Sequence, residues 1–326
     1  MKKNIAIVFG GDSGEYEVSV MSGKVVYKHL DRTLFNPFLI RIKGGNWSFI
    51  DTDNKEFPVD KNDFTLNLKG QVIRFDAVFN AIHGTPGEDG KLQGYLEMIG
   101  LPVTSSGQAA SSLTFNKHFS KGFVTSLGLK VSRSILIDRE ESPDIARITS
   151  ELSLPVFVKP NRGGSSVGTT KVTEPGKLAD ALHLAFQEDE LVMVEENIPG
   201  REITCGIIGW KGKALALPLT EIVSKKEFFD YDAKYHGMSD EITPAPISDE
   251  VAGMCKDTSL MLYKELNCRG IVRCDYIFNE NGLYFLEVNT VPGLSEASIV
   301  PQQAAAMGIS LKDMFAEAIL GAIARK

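Results

Sequence analysis

Four polar residues stand on two strand-like runs near the end of the chain: Arg273 and Asp275 within 271–278, Glu287 and Asn289 within 283–289. The Asn281-Gly282 pair between them is a hairpin turn signal. If the loop is the three residues Glu280, Asn281 and Gly282, then Phe285 falls opposite Ile277, Glu287 opposite Asp275 and Asn289 opposite Arg273. All four polar groups then share one face. A two- or four-residue loop would instead send Asp275 and Glu287 to opposite faces. Two carboxylates and an amide oxygen on one face suit divalent cations bridging a polyphosphate, with the guanidinium on the transferred group. The same pattern also describes a solvated strand face with cross-strand charge pairs, and these residues alone leave both readings open.

A second candidate is the glycine-rich turn from Asn161 to Gly168, which directly follows a strand-like run ending in Lys159-Pro160. Glycines let the backbone approach a phosphate and present N–H donors, and Ser165 and Ser166 add hydroxyls. The turn lacks the Gly-Lys-Ser/Thr ending of a Walker A loop. A lysine just before it favours nucleotide phosphates over a plain surface hairpin. Glu15 and His83 stand in loops that follow strands, in 10–15 and 83–90. Glu15 by itself reads first as a carboxylate favoured at a helix N-terminus, and His83 equally as a turn-stabilising imidazole or a ligand contact. Residues 225–235, with Lys225, Lys226, Asp230, Tyr231 and Lys234, read only as a polar loop.

The elements that must carry these groups follow a βαβ rhythm from Asn4 to about Ser105: strands at Ile5 to Phe9, Phe35 to Ile42 and Val72 to Phe79, and helices near Tyr16 to Leu30 and Leu92 to Ile99. Ligands of such sheets sit beyond the carboxyl ends of the strands. Further on come a helix carrying Lys117, a strand at Pro155 to Pro160, a helix from Lys177 to Phe186 and a strand from Leu191 to Glu195. Strands at Glu202 to Trp210 and Ala214 to Thr220, the hairpin and a helix from Leu311 to Ala324 complete the chain.

With 326 residues, 43% hydrophobic and 24% charged, the chain can bury two or three cores. Its net charge of -7 argues against a nucleic-acid or anionic-membrane surface, so phosphate contacts should be local. Cys205, Cys255, Cys268 and Cys274 form no Cys-x-x-Cys pair and have no histidine at zinc spacing, which suits buried thiols in a reducing compartment. No apolar run is long enough to span a bilayer, and the run after Met1-Lys2-Lys3 is too short for a secretory signal, so a cytoplasmic protein is expected.

Taken in order, these segments resemble the D-alanine:D-alanine ligases of the ATP-grasp superfamily. The resemblance rests on Gly10-Gly11-x-Ser13-x-Glu15-x-Glu17-Val18-Ser19, His83-Gly84-x-x-Gly87-Glu88-Asp89-Gly90, Lys159-Pro160 to Gly168, Asp230-Tyr231-x-Ala233-Lys234-Tyr235, Arg273-x-Asp275, and Glu287-x-Asn289-Thr290-x-Pro292-Gly293 with Ser298. It implies an α/β fold: a Rossmann-like substrate domain over 1–105, then two ATP-grasp subdomains, 106–195 and 196–326, that sandwich the nucleotide. It also implies ATP and two Mg2+ or Mn2+ ions as cofactors, two D-alanine molecules as substrates, and a homodimer.

By the same resemblance, Lys117 and Lys159 would touch the phosphates, and Ser165, Ser166 and Val167 would cover them. Glu195, Glu196, Asn197, Ile198 and Glu202 would bind adenine and ribose, and Asp275, Glu287 and Asn289 the metals. Glu15 would anchor the ammonium of the first D-alanine, with His83 near its carboxylate and Ser165 and Tyr235 linked to Glu15. Lys234 and Tyr235 would come from a closing omega loop, Ser298 and Ser295 would hold the second D-alanine, and Arg273 with the Gly293 N–H would stabilise the oxyanion. Ser295 replaces a threonine and Ile299 a leucine of the family pattern; both keep size and chemistry. Lys234-Tyr235 favours a dipeptide product over a D-lactate ester. The competing expectations are a ligase using D-lactate or D-serine second, and a nucleotide-binding module without catalysis.

Overall fold

The computed structural model describes residues 2–141, 143–224 and 239–325. Three sheets organise them. The first has the order β6-β5-β4-β3-β2-β1-β7, with β1 (Lys3–Gly10) parallel to β2 (Phe35–Lys43) and β7 (Ala77–Asn80). Helix α1 (Tyr16–His29) makes the crossover between β1 and β2. Burial on both faces explains the unbroken apolar run of Ile5 to Val8, which has no solvent side to alternate with.

The expected parallel sheet has an addition that the βαβ reading did not contain. After β2 the chain turns back through four antiparallel strands, β3 (Asn46–Ile50), β4 (Glu56–Asp60), β5 (Thr65–Leu68) and β6 (Gln71–Ile73). Val72 therefore lies on the outer edge strand, and the parallel partner of β1 starts only at Ala77. These strands are three to five residues long, too short for a clear alternation, and aromatic packing holds them. Trp47 meets Phe64 at 5.9 Å and Tyr95 of α2 (Lys91–Met98) at 5.1 Å between ring centroids.

The second sheet is antiparallel, in the order β11-β10-β12-β9, from β9 (Ser134–Asp138), β10 (Val156–Pro160), β11 (Thr170–Val172) and β12 (Leu191–Glu196). Val156, Val158, Val192 and Val194 pack with Leu178, Leu182 and Ala185 of α6 (Leu178–Glu188) and with Ile148 of α5 (Ile145–Glu151). Strand alternation then turns Phe157, Lys159, Met193 and Glu195 to the opposite face, where Lys159 pairs with Met193 and Phe157 with Glu195.

The third sheet runs β16-β15-β13-β17-β18-β8: β13 (Arg201–Trp210), β15 (Thr220–Ser224), β16 (Ser239–Ile242), β17 (Ile271–Asn279) and β18 (Gly282–Asn289), with β14 (Lys213–Ala216) beside β13. Its last member, β8 (Lys130–Val131), comes from before the second sheet, and α3 (Gln108–Phe115) and α4 (Lys117–Ser126) pack on this third layer beside α7 (Asp249–Glu265). Ser248 caps α7 by accepting from the Val251 N–H. Helices α8 (Ile299–Ala306) and α9 (Leu311–Ala324) return to the first sheet, where Phe315 meets Phe79 at 5.4 Å. All four cysteines are unpaired and buried, and Cys205 faces Cys274 across β13 and β17. Burial pushes the Cys205 thiol up to about 12, as expected of inert core thiols. Among the described residues no helix is long and apolar enough to cross a membrane.

The hairpin turn corrects the expected loop. Asn279 pairs with Gly282 and Tyr276 with Phe285, so the turn has two residues, Glu280 and Asn281, and Phe285 does not face Ile277. A regular ladder from that turn would separate Asp275 from Glu287. An irregularity between Asp275 and Tyr276 instead leaves Leu286 as an extra residue, and beyond it Asp275 pairs with Glu287 and Arg273 with Asn289. The signature is visible in the burial of β18: Phe285 and Val288 are buried three residues apart, with both Leu286 and Glu287 between them only partly covered.

Candidate active site

A cleft of about 800 Å³ opens where the three sheets meet. It is lined by Glu15 and His83 from the first, and by Lys117, Lys159, Ser165, Ser166, Val167, Glu195, Glu196, Asn197 and Ile198 around the second. Glu202, Arg273, Asp275, Glu287, Asn289, Gly293, Ser295 and Ser298 line it from the third sheet and the loop beyond. Lys234 and Tyr235 lie outside the described residues.

The floor is the polar face of β17 and β18. Arg273 grips Asp275 through two nitrogens, Nε to Oδ1 at 2.9 Å and Nη2 to Oδ2 at 2.8 Å. Burial opposes the guanidinium charge, but Asp275 and Glu287 more than offset it and hold the Arg273 pKa above its ordinary value. Thr204 on β13 donates to Asp275 Oδ1 at 2.5 Å, and Asn289 Nδ2 reaches Asp275 Oδ2 at 2.9 Å and Glu287 Oε1 at 3.4 Å. A half-turn of the Asn289 amide exchanges its oxygen for its nitrogen, so two carboxylates and an amide oxygen converge here. Among the described residues no group of three His, Cys, Asp or Glu could hold a metal unaided. Hard oxygen donors too few to enclose an ion fit Mg2+, which completes its shell with water and phosphate oxygens.

The wall comes from α4 and the glycine-rich turn. Asn116 caps α4 by accepting from the Phe119 N–H, and the first residue, Lys117, sends Nζ to the Gly163 carbonyl at 2.6 Å and lies 3.8 Å from Glu287 Oε2. Lys159 pairs with Glu195. In the turn, Ser165 and Ser166 have φ of 51° and 58°, the left-handed region that β-carbons disfavour. Ser165 Oγ donates to Glu15 Oε1, joining the turn to the N-terminus of α1. A Cβ on Gly164 would come within 2.6 Å of Glu15 Oε2, so only glycine lets the two segments close to this distance.

Two family models match the chain: D-ala D-ala ligase N-terminus over residues 4–106 and D-ala D-ala ligase C-terminus over 123–320. Curated relatives include the D-alanine--D-alanine ligase of Christiangramia forsetii, 46% identical over 100% of both chains, and that of Flavobacterium johnsoniae, 46% identical over 97% of this chain and 98% of the relative. The chain belongs to the D-alanine:D-alanine ligase family. Similar solved structures are the VanG D-Ala:D-Ser ligase from Enterococcus faecalis, with TM-score 0.86, 32% identity and coverage of 99% of this chain and 100% of that one, and D-alanyl-alanine synthetase A from Vibrio cholerae, with TM-score 0.88, 26% identity and 99% coverage of each. The fold is that of the ATP-grasp enzymes.

Within this ligase fold, His83 lines the cleft beside Glu15, and both of its ring nitrogens have protein partners. Its Nδ1 lies 2.8 Å from the Val291 carbonyl and its Nε2 2.8 Å from Ser22 Oγ. Burial lowers its pKa, so the ring is neutral, with Nδ1–H donating to Val291 and Nε2 accepting from Ser22. One nitrogen holds the loop after β18 and the other is fixed by α1. Glu88, to which the sequence reading gave no role, grips the backbone N–H on the other side of the Val291 Cα. Val291 N–H donates to its Oε1 at 3.3 Å and Gly84 N–H to its Oε2 at 2.7 Å. The signal was an acid inside a glycine-rich loop at a strand end, too general to distinguish from a solvated turn.

Two predictions follow from this geometry. Deleting Leu286 removes the extra residue, so the ladder from the two-residue turn becomes regular and still sets Glu287 opposite Asp275 and Asn289 opposite Arg273. Turnover should stay within about tenfold of wild type, with far-ultraviolet dichroism close to wild type; a folded deletion variant that loses about 100-fold or more would show that the facing of Asp275 and Glu287 depends on the bulge and not on this register. Glu88 gives the second. Burial, reinforced by the charge of Glu15, raises its pKa from 4.5 to about 8. The folded state therefore holds the proton more tightly than the unfolded chain, and this stability is present below the unfolded pKa and lost as pH rises towards the folded one. Between about pH 5 and pH 8 the urea midpoint of the Glu88→Gln variant should fall less than that of wild type, and parallel curves would count against the assignment.

Proposed function

We infer that the cleft joins two D-alanines at the expense of ATP, making the dipeptide for peptidoglycan precursors through a D-alanyl phosphate intermediate. The observation that carries this reading is the convergence of a glycine-rich turn with two lysines, an oxygen-donor face on β17 and β18, and an ammonium-sized carboxylate site at Glu15 around one cavity. Segments 1–105, 106–195 and 196–326 are proposed as its substrate, nucleotide-covering and metal-bearing units.

A carboxylate is a poor electrophile, so the first D-alanine must take the γ-phosphoryl group on a carboxylate oxygen, with ADP leaving. Glu15 binds its ammonium, and Ser165, held on Glu15, keeps the turn over the reacting groups. Lys117 and Lys159, with the N–H groups of 163–167, offset phosphate charge. Asp275, Glu287 and Asn289 would hold Mg2+ or Mn2+, whose contribution is to neutralise the negative charge of the phosphates. The free amine of the second D-alanine then attacks the acyl carbon, a C–N bond forms, and inorganic phosphate leaves with the C–O bond electrons while the amine loses a proton. Arg273 and the Gly293 N–H are the proposed donors to the oxyanion, a reading supported by the commitment of Arg273 Nε and Nη2, and not Nη1, to Asp275. Losing one such donor typically costs ~3 kcal/mol.

Ser295 Oγ and Ser298 Oγ lie 2.7 Å apart at the start of α8, where helix N–H groups favour the carboxylate of the second D-alanine. The side of the cleft along 195–198 and Glu202 is assigned to adenine and ribose. His83 acts through Val291 and Ser22. The closing contribution of Lys234 and Tyr235 belongs to the same proposal, as do a cytoplasmic location, where ATP is the available nucleotide, and a homodimer of the family kind. A D-serine product is the reading that likeness to VanG favours, and the same assay separates the two.

With ATP, Mg2+ and D-alanine, mass spectrometry should find D-alanyl-D-alanine as the main product even when D-serine or D-lactate is added in equal amount. A dominant mixed product, or no ADP release dependent on D-alanine, would sink the reading. The Glu287→Gln variant should keep the fold, because that side chain is 31% exposed, and lose about 100-fold or more in turnover at saturating Mg2+. Near-normal turnover would remove Glu287 from the metal site.

A further inference from the structure

Lys121 sits one helical turn beyond Lys117 on α4, on the same side of the helix. It is 6% exposed, and its ammonium carries three hydrogens for three acceptors: Glu195 Oε1 at 2.7 Å, Ser132 Oγ at 3.0 Å and Ser134 Oγ at 3.3 Å. It is saturated by protein and cannot itself touch a ligand. Burial lowers its pKa, as expected for a lysine taken out of water.

Glu195 is the other half of the cluster. Its Oε1 takes both Lys121 and the Ser132 hydroxyl, and its Oε2 takes Lys159. Burial works against this charge, yet Lys159 and Lys121 together bring the Glu195 pKa down to about 2. Each carboxylate oxygen accepts about two hydrogen bonds, so Oε1 is full and Oε2 keeps one place. With two donors fixed on Oε1, the carboxylate plane cannot turn, and the remaining lone pair of Oε2 has a set direction. Glu195, Ser132 and Lys159 all line the cleft, next to Asn197 and Ile198.

We propose that Lys121, together with Ser132, is a positioning residue that orients Glu195 so that its one open acceptor site receives an N–H from the edge of the nucleotide base. The ligase thereby prefers a purine carrying an exocyclic amine. This rests on the assignment of 195–198 to the nucleotide base. The two serines and Lys121 come from β9, the β8–β9 connection and α4, so the device spans the seam between the second and third sheets.

The test compares ATP with purine riboside triphosphate, which lacks the amine, by calorimetric Kd, so that nucleotide recognition is read separately from ligation. Wild type should bind ATP about 10- to 100-fold more tightly. In Lys121→Met that ratio should shrink about tenfold, through weaker ATP binding, with KM for D-alanine little changed and the Kd of the amine-free nucleotide close to wild type. Ser132→Ala should move the ratio the same way by less. A purely structural lysine would lower Tm or weaken both nucleotides equally. Equal wild-type affinities, or a ratio unaltered in folded Lys121→Met, overturns the proposal. If Lys121→Met does not fold, Ser132→Ala decides by the same criterion. Absence of dipeptide product with a normal ATP preference would instead count against the ligase reading alone.

Discussion

The backbone of Val291 is held from both sides, its N–H by Glu88 and its carbonyl by His83, and the relation between the first and third sheets at the cleft depends on this grip. Both anchors come from the loop after β7, and Ser22 on α1 supports the ring of His83 while lying 3.4 Å from the Leu294 nitrogen. Val291 follows Asn289 by two residues and precedes Gly293 by two, so one clamp sets where the metal-facing strand ends and where the second-substrate loop begins. Buried peptide groups demand partners whatever the fold. Here the demand is met by side chains from a distant part of the chain, which do for the loop what a neighbouring strand would do for a ladder.

Charge balance follows the same plan. The cationic groups assigned to phosphates and oxyanion are already matched to protein acceptors: Lys117 to Gly163 and Glu287, Lys159 to Glu195, Arg273 to Asp275. Pairing holds these side chains near the positions a polyphosphate needs, and reduces the reorganisation required when it arrives. It also explains how a chain with net charge -7 builds a phosphate site without a basic surface. A few cations in the cleft, each matched to a protein acceptor, take the place of an extended basic surface.

Much of this was legible in the residues. The strands at 155–160 and 191–195 were legible and occur as β10 and β12, whose pairing puts Phe157, Lys159 and Glu195 on one face; that the turn glycines also admit Glu15 was not. The facing of Asp275 and Glu287 was also legible, but for the wrong reason, because a two-residue turn with a bulge at Leu286 gives the same facing as the expected three-residue loop. Turn chemistry alone cannot count an extra residue further along a strand. The short strands β3 to β6 escaped because cross-strand aromatic pairs, rather than a period, hold them. Glu88 and Lys121 escaped because their roles consist of partners 203 and 74 residues away along the chain, and no local pattern records such partners.

The glycine-rich turn shows how a strained segment is made to persist. Two successive serines with positive φ cost of order 1–3 kcal/mol each, and no regular ladder holds them there. One contribution that offsets the strain is the bond from Ser165 to the Glu15 carboxylate, and Gly164 has no side chain to crowd that carboxylate. A hydrogen bond to a charged acceptor contributes about 1.5–3 kcal/mol, comparable with the strain it opposes. The near balance means that whatever else touches Glu15 acts on the turn as well. An ammonium bound there competes for the same carboxylate oxygens, so occupation of the first substrate site and placement of the cover over the phosphates are linked through a single side chain.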